Sequence, residues 1–100
     1  MKVIAANNIN CPGYILEDLV KDEELEVRLA VIENVSCPLY TLEQLSSDPS
    51  FIIRNIVACN KNSSTKILFK LVVDFYSHVR KSTIVNENSG EVVLYLNWKL

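Results

Sequence analysis

Three cysteines, one histidine and three recurring Asp–Arg pairs are the side chains of this 100-residue chain with chemistry to offer. Cys11 and Cys37 invite a metal or disulfide reading. Each stands directly before a proline, Pro12 or Pro38. Packed helices lie about 8–10 Å apart, and a disulfide needs Cα atoms within about 7 Å. Ser63 and Ser89 hold the same place further along, and serine is an ordinary helix-cap residue. Cys11 and Cys37 are therefore expected to be half-buried, cap-like thiols. Cys59 sits elsewhere and completes no ligand set. His78 has no recurring acidic or cysteine partner and is expected at the surface. No Ser–His–Asp, zinc or phosphate-loop spacing occurs. The expectation is a protein that is not an enzyme and carries no metal or cofactor.

The remaining groups recur on a 26-residue beat. Asp22, Asp48 and Asp74 each precede an arginine by six residues: Arg28, Arg54 and Arg80. They admit two readings, an arginine row that binds an anion or a structural Asp–Arg ladder. The ladder is favoured, with each Asp also capping a helix, because bidentate Arg–carboxylate geometry suits such a site. Asn8, Asn34, Asn60 and Asn86 share the beat. Asparagine tolerates the left-handed conformation that ends helices, and its amide can bond loose backbone groups. A structural asparagine ladder is expected.

The elements that must position these groups follow from the same period. Repetition at this spacing means a stack of small units, each burying its apolar face against a neighbour. The units are 1–26, 27–52, 53–78 and 79–100, one domain in all. Val27, Ala30 and Val31 share one helical face, and Leu42 and Leu45 mark a second helix. Leu16 with Leu19, and Leu68 with Leu71, do the same, and Leu94 falls on the beat of Leu16. Pro38 suits the first position of the second helix, and Asp48-Pro49 reads as the cap and first position of the next. Helices of about 8–12 residues are marginal alone, so packing must hold them; short 3₁₀ pieces are allowed. In the last unit Ser82 replaces Ala30 and Ile56, and Asn97 replaces Leu45 and Leu71.

The string Val27-Arg28-Leu29-Ala30-Val31-Ile32-Glu33-Asn34, followed by Cys37-Pro38, Leu42, Leu45 and Asp48-Pro49, resembles the leucine-rich repeat variant family. That family is a short relative of HEAT-like repeats. The resemblance implies an all-α, right-handed α-solenoid (superhelix) with two short helices per repeat. HEAT-like repeats use an Asp–Arg pair similar to the one above. One founding-type member of the family carries a cysteine-rich iron–sulfur segment. This chain has no such cluster, so that cofactor is not implied.

Charge and hydropathy suggest where contact could occur. The net charge is −2, yet residues 1–50 hold nine acids and three bases, and residues 51–100 three acids and seven bases. Positions that vary between units form a stripe: Glu26, Leu29 and Glu33, then Ile52, Asn55 and Cys59, then His78, Lys81 and Val85. The resemblance implies that this helix row lines a concave side. A second candidate is the apolar end formed by Phe69, Val72, Val73, Phe75, Tyr76, Tyr95, Leu96, Trp98 and Leu100. It could cap the stack or join a second copy in a homodimer. The expected function is a protein-interaction scaffold or adaptor with an unidentified protein partner. The alternative is a nucleic-acid-binding module using Lys61, Lys66, Lys70, Arg80 and Lys81, against which the overall acidity argues. No run of 18 apolar residues suggests a membrane span. One lysine and an early Asn-Asn break argue against a secretory leader. An odd cysteine count fits a reducing, cytoplasmic setting.

Overall fold

The computed structural model describes residues 1–99; Leu100 lies outside them, as does the side chain of Lys99. The described residues form eight α-helices and no strand or 3₁₀-helix: α1 (Lys2–Asn7), α2 (Gly13–Leu19), α3 (Leu25–Glu33), α4 (Leu39–Leu45), α5 (Phe51–Cys59), α6 (Thr65–Leu71), α7 (Ser77–Ile84) and α8 (Gly90–Lys99). The chain is all-helical, as the apolar spacing predicts. Leu25, Phe51 and Ser77 open α3, α5 and α7 on the repeating beat, and Gly13, Leu39 and Thr65 do so for α2, α4 and α6.

The helices are short because polar turns stop them on the same beat. Helices of six to ten residues do not persist alone in water. They persist here through burial: Leu16, Leu42, Leu45, Ile53, Val57, Leu71 and Val79 meet in one apolar cluster. α1, α3, α5 and α7 touch in succession, while α2, α4 and α6 each lie against the odd-numbered helix that follows. The molecule is elongated, with extents of 48 × 22 × 16 Å.

Several helix ends differ from the sequence expectation. Pro38 is the residue before α4, not its first position; its extended ψ of 156° lets its carbonyl accept the opening bond from the Leu42 N–H. Pro12 does the same for α2. Asp48-Pro49 is not the cap and first turn of α5. Ser50 is the cap, its Oγ accepting from the Ile52 N–H at 3.2 Å. Asp48 acts two residues earlier, Oδ1 accepting from the Ser50 N–H at 2.9 Å, a local turn that Asp favours. Asn8, Asn34 and Asn60 end their helices in extended conformation, and no described residue has positive φ. Their amides shape the turn, so the left-handed conformation is unnecessary.

The last helix slips by one residue. On the repeating beat Leu94 should match the fully buried Leu16, Leu42 and Leu68, and Asn97 should match Leu71. Instead α8 starts one residue early, at Gly90, and the Val93 N–H bonds to the Ser89 carbonyl. Leu94 is 69% exposed and Val92 is fully buried. The slip keeps the Asn97 amide out of the core and places Leu96 against Leu68, Val72 and Val92.

Candidate functional site

The Asp–Arg pairs assemble along one edge, and their partners are not the ones nearest in sequence. The Arg28 Nε donates to Asp48 Oδ2 at 2.8 Å and its Nη2 to Asp48 Oδ1 at 3.3 Å. Arg54 repeats this on Asp74 at 2.7 and 3.3 Å. The aspartate six residues before each arginine contributes only its backbone: the Arg28 Nη1 donates to the Asp22 and Glu23 carbonyls, and the Arg54 Nη1 to those of Asp48 and Pro49. The ladder therefore ties each of these arginines to the next recurring aspartate along the chain. Asp22, left without an arginine, takes the Lys2 Nζ at 2.8 Å. Lys2 stands 26 residues before Arg28, so the recurring spacing contained this pair. A lysine in place of arginine hid it.

Electrostatics follow the geometry. The Lys2 ammonium and the Glu24 N–H hold the Asp22 carboxyl below its usual range, and the same carboxylate raises Lys2. Burial works against the charge on Asp74. The hydrogen bonds from Arg54 and the Tyr76 N–H, with the charges of Arg54 and Arg80, outweigh it and lower the pKa. Burial pushes the Cys37 thiol up to about 11, so it is not a ready nucleophile.

The asparagines form rungs of a second kind. Asn34 Nδ2 donates to the Ala6 and Asn8 carbonyls at 2.6 and 2.9 Å, while its Oδ1 accepts from the Ser36 N–H. Asn86 makes the same bonds to Ala58 and Asn60. Asn60 keeps only the local bond, from the Asn62 N–H, among the described residues. Ser63 and Ser89 do not cap; their hydroxyls turn back to the Val57 and Ile84 carbonyls. Cys11 and Cys37 sit in those places as free thiols, each a weak 3.8 Å donor to the carbonyl of the following proline.

The variable stripe is only partly open. Glu26, Glu33, Ile52, Cys59, His78, Lys81 and Val85 are exposed. Leu29 packs against the main core, and Asn55 Oδ1 accepts from the Ser82 hydroxyl at 2.7 Å. Those two residues serve packing. The stripe runs from acidic to basic along the odd-numbered helices.

The apolar end divides into two. Phe69 and Leu96 pack on the Leu68–Val72–Val92 cluster, and Phe69 meets Tyr95 edge-on with centroids 5.4 Å apart. Val73 and Trp98 are 74% and 84% exposed, so neither covers the end of the core. Phe75 and Tyr76 join a separate aromatic group with Phe51, which the sequence reading did not name: Phe51 stacks on Tyr76 at 4.7 Å, Phe75 meets Tyr76 edge-on, and the Arg54 guanidinium lies 5.5 Å from the Tyr76 ring centre. The Phe51 contact was hidden because Tyr76 lies 25 residues beyond it, one short of the recurring spacing.

Among the described residues, no group of three His, Cys, Asp or Glu side chains could hold a metal ion, and no helix is long and apolar enough to cross a membrane. The basic residues are partly engaged: Lys66 lies 3.8 Å from Glu43, and Lys70 bonds the Ser47 hydroxyl. A surface depression of about 520 Å³ lies over the Arg28–Asp48 rung, lined also by Val20 and Pro49. No family model, curated protein or solved structure matches this chain.

Proposed function

We propose that the chain is a short right-handed α-solenoid of four two-helix units, 1–26, 27–52, 53–78 and 79–100, akin to leucine-rich repeat variant and HEAT-like proteins. On this reading it works in the cytoplasm as a non-enzymatic scaffold that holds another protein. The regular spacing of helix starts and the recurring Arg–Asp and Asn–carbonyl rungs support the architecture. The observation that carries the function is the exposure of Val73, Phe75 and Trp98, beside half-exposed Tyr76 and Tyr95. A monomer gains nothing from wetting so many large apolar groups, and aromatic residues are frequent anchors of interfaces. The recurring polar side chains are meanwhile spent on bracing. The apolar end also suits a homodimer.

The test is cross-linking capture from the native cell extract with the wild type, Trp98→Ala and Val73→Asp as baits. The expected result is a protein partner held by the wild type and lost from both variants while their helical circular dichroism is unchanged. Equal capture by all three removes the apolar surface from the function. A labelled DNA duplex run alongside, with binding that falls steeply with salt, would move the function to nucleic acid instead.

A further inference from the structure

Among the described residues, the Asp–Arg ladder has one open rung, at Arg80. The Arg80 Nη1 donates to the Asp74 and Phe75 carbonyls at 2.6 and 2.8 Å, the same two-carbonyl seat that holds Arg28 and Arg54. In those two arginines the seat turns Nε and Nη2 toward the next aspartate along the chain. Arg80 meets no carboxylate among the described residues. The Asp74 carboxylate is turned to Arg54 Nε, Arg54 Nη2 and the Tyr76 N–H, and Arg80 meets only the Asp74 backbone carbonyl.

The open rung has a structural origin. Asp22, Asp48 and Asp74 each lie three residues beyond the leucine that ends α2, α4 or α6. Those helices are seven residues long, and the chain then turns to bring the aspartate to the edge. α8 is ten residues long and runs on through Lys99, so no turn within it delivers a carboxylate to Arg80.

We propose that Arg80 is a preformed receptor for the carboxylate of an Asp or Glu side chain on a partner polypeptide. The assignment rests on the scaffold reading and names one chemical feature of the partner. Both filled rungs show what this fork accepts: a carboxylate held by Nε at 2.7 or 2.8 Å and by Nη2 at 3.3 Å. Arginine suits this two-point contact because its planar fork needs little ordering once its Nη1 side is pinned. The surroundings favour an acid: Lys81 and His78 are exposed on the same helix, and bases outnumber acids in residues 51–100. Phe75, whose carbonyl pins Arg80, is 87% exposed and offers apolar contact beside the charge. The matching segment is an acidic residue flanked by apolar ones.

The experiment follows the arginine Nε–H signals of ¹⁵N-labelled protein while a capped pentapeptide with one aspartate among apolar residues is added. A saturable shift of Arg80, with Arg28 and Arg54 unmoved, is the expected result. Arg80→Lys should keep the helical circular dichroism and weaken the peptide by about tenfold or more, since a charge-assisted hydrogen-bonded contact is worth about that factor. An unmoved Arg80 signal, or an equal shift with the asparagine analogue, overturns the proposal. So does a short DNA duplex that shifts Arg80 when the aspartate peptide does not. A shift on concentrating the protein alone, equal in Trp98→Ala, would assign the fork to a second copy and overturn the external partner. Peptide binding that moves other residues but not Arg80 defeats this site and leaves the scaffold standing. Failure to capture any protein, with Arg80 titrating as expected, does the reverse.

Discussion

Asp48 does two jobs with one carboxylate: it fixes the turn before α5 and neutralises the largely buried Arg28 guanidinium on α3. Glu43, by contrast, lies 3.8 Å from a Lys66 that is largely in solvent. Removing a carboxylate from a buried pair strands the other charge, which costs about 3 kcal/mol, whereas an ordinary surface change stays within about 0.5 kcal/mol. Asp48→Ala should therefore lower the urea midpoint well below that of Glu43→Ala; equal midpoints would contradict the ladder. The same rungs predict a pH dependence. Asp74 is held below the usual carboxylate range in the folded chain. Its contribution is fully present above its unfolded value of about 3.9 and is lost as pH falls through the folded value. Stability measured by denaturant titration from about pH 5 downward should fall less steeply in Asp74→Asn than in the wild type. An identical slope would mean that the Arg54 contact does not stabilise the charged form.

At the scale of the element, the asparagine rungs join one helix turn to the next. Asn34 binds the Ala6 and Asn8 carbonyls at the end of α1, whereas the Asn60 side chain makes only its local bond among the described residues. Asn34→Ala removes the donor to the buried Ala6 carbonyl, at about 1–3 kcal/mol, while the Asn8 carbonyl keeps the Cys11 N–H. Asn60→Ala should cost less, and thermal midpoints that fall equally would show the rungs to be idle. This asymmetry could not be read from the chain, because both asparagines stand on the same beat. The helical period itself was legible: Leu16, Leu42 and Leu68 are fully buried at their expected places. The helix starts were legible to within a residue or two, since proline and aspartate shape a turn from either side of a boundary. The α8 slip was not legible, because both registers offer an apolar stripe. The choice turned on whether Asn97 or Leu96 would meet the core, a comparison that needs the neighbouring helix. The pairing of each arginine with the next aspartate, rather than with the one just before it, likewise depends on how successive turns align in space.

For the molecule as a whole, the two ends are unequal. The first half is acidic and the second basic, and a polarised charge steers the approach of a complementary surface and makes its on-rate sensitive to salt. Large exposed apolar groups occur along the whole chain, but the exposed aromatics lie mostly in its second half, at Phe51, Phe75, Tyr76, Tyr95 and Trp98 against Tyr14 and Tyr40 in the first. Part of the apolar end is already satisfied: Phe69 and Leu96 cover Leu68, Val72 and Val92. Trp98 stands outside this cover, so its ring is available as an anchor between copies. The final prediction separates the two uses of the end. Trp98→Ala removes no packing from the core, so its unfolding free energy should stay within about 0.5 kcal/mol of the wild type. Light scattering of the wild type should show mass rising with concentration toward a dimer, while the still-folded Trp98→Ala remains monomeric. A concentration-independent monomer in both proteins would remove self-association. A large loss of stability in the variant would instead make Trp98 part of the cap. If the dimer forms through Trp98, it leaves Arg80 and the neighbouring Phe75 for an acidic partner. Mutating Trp98 should then change self-association without weakening the aspartate peptide at Arg80.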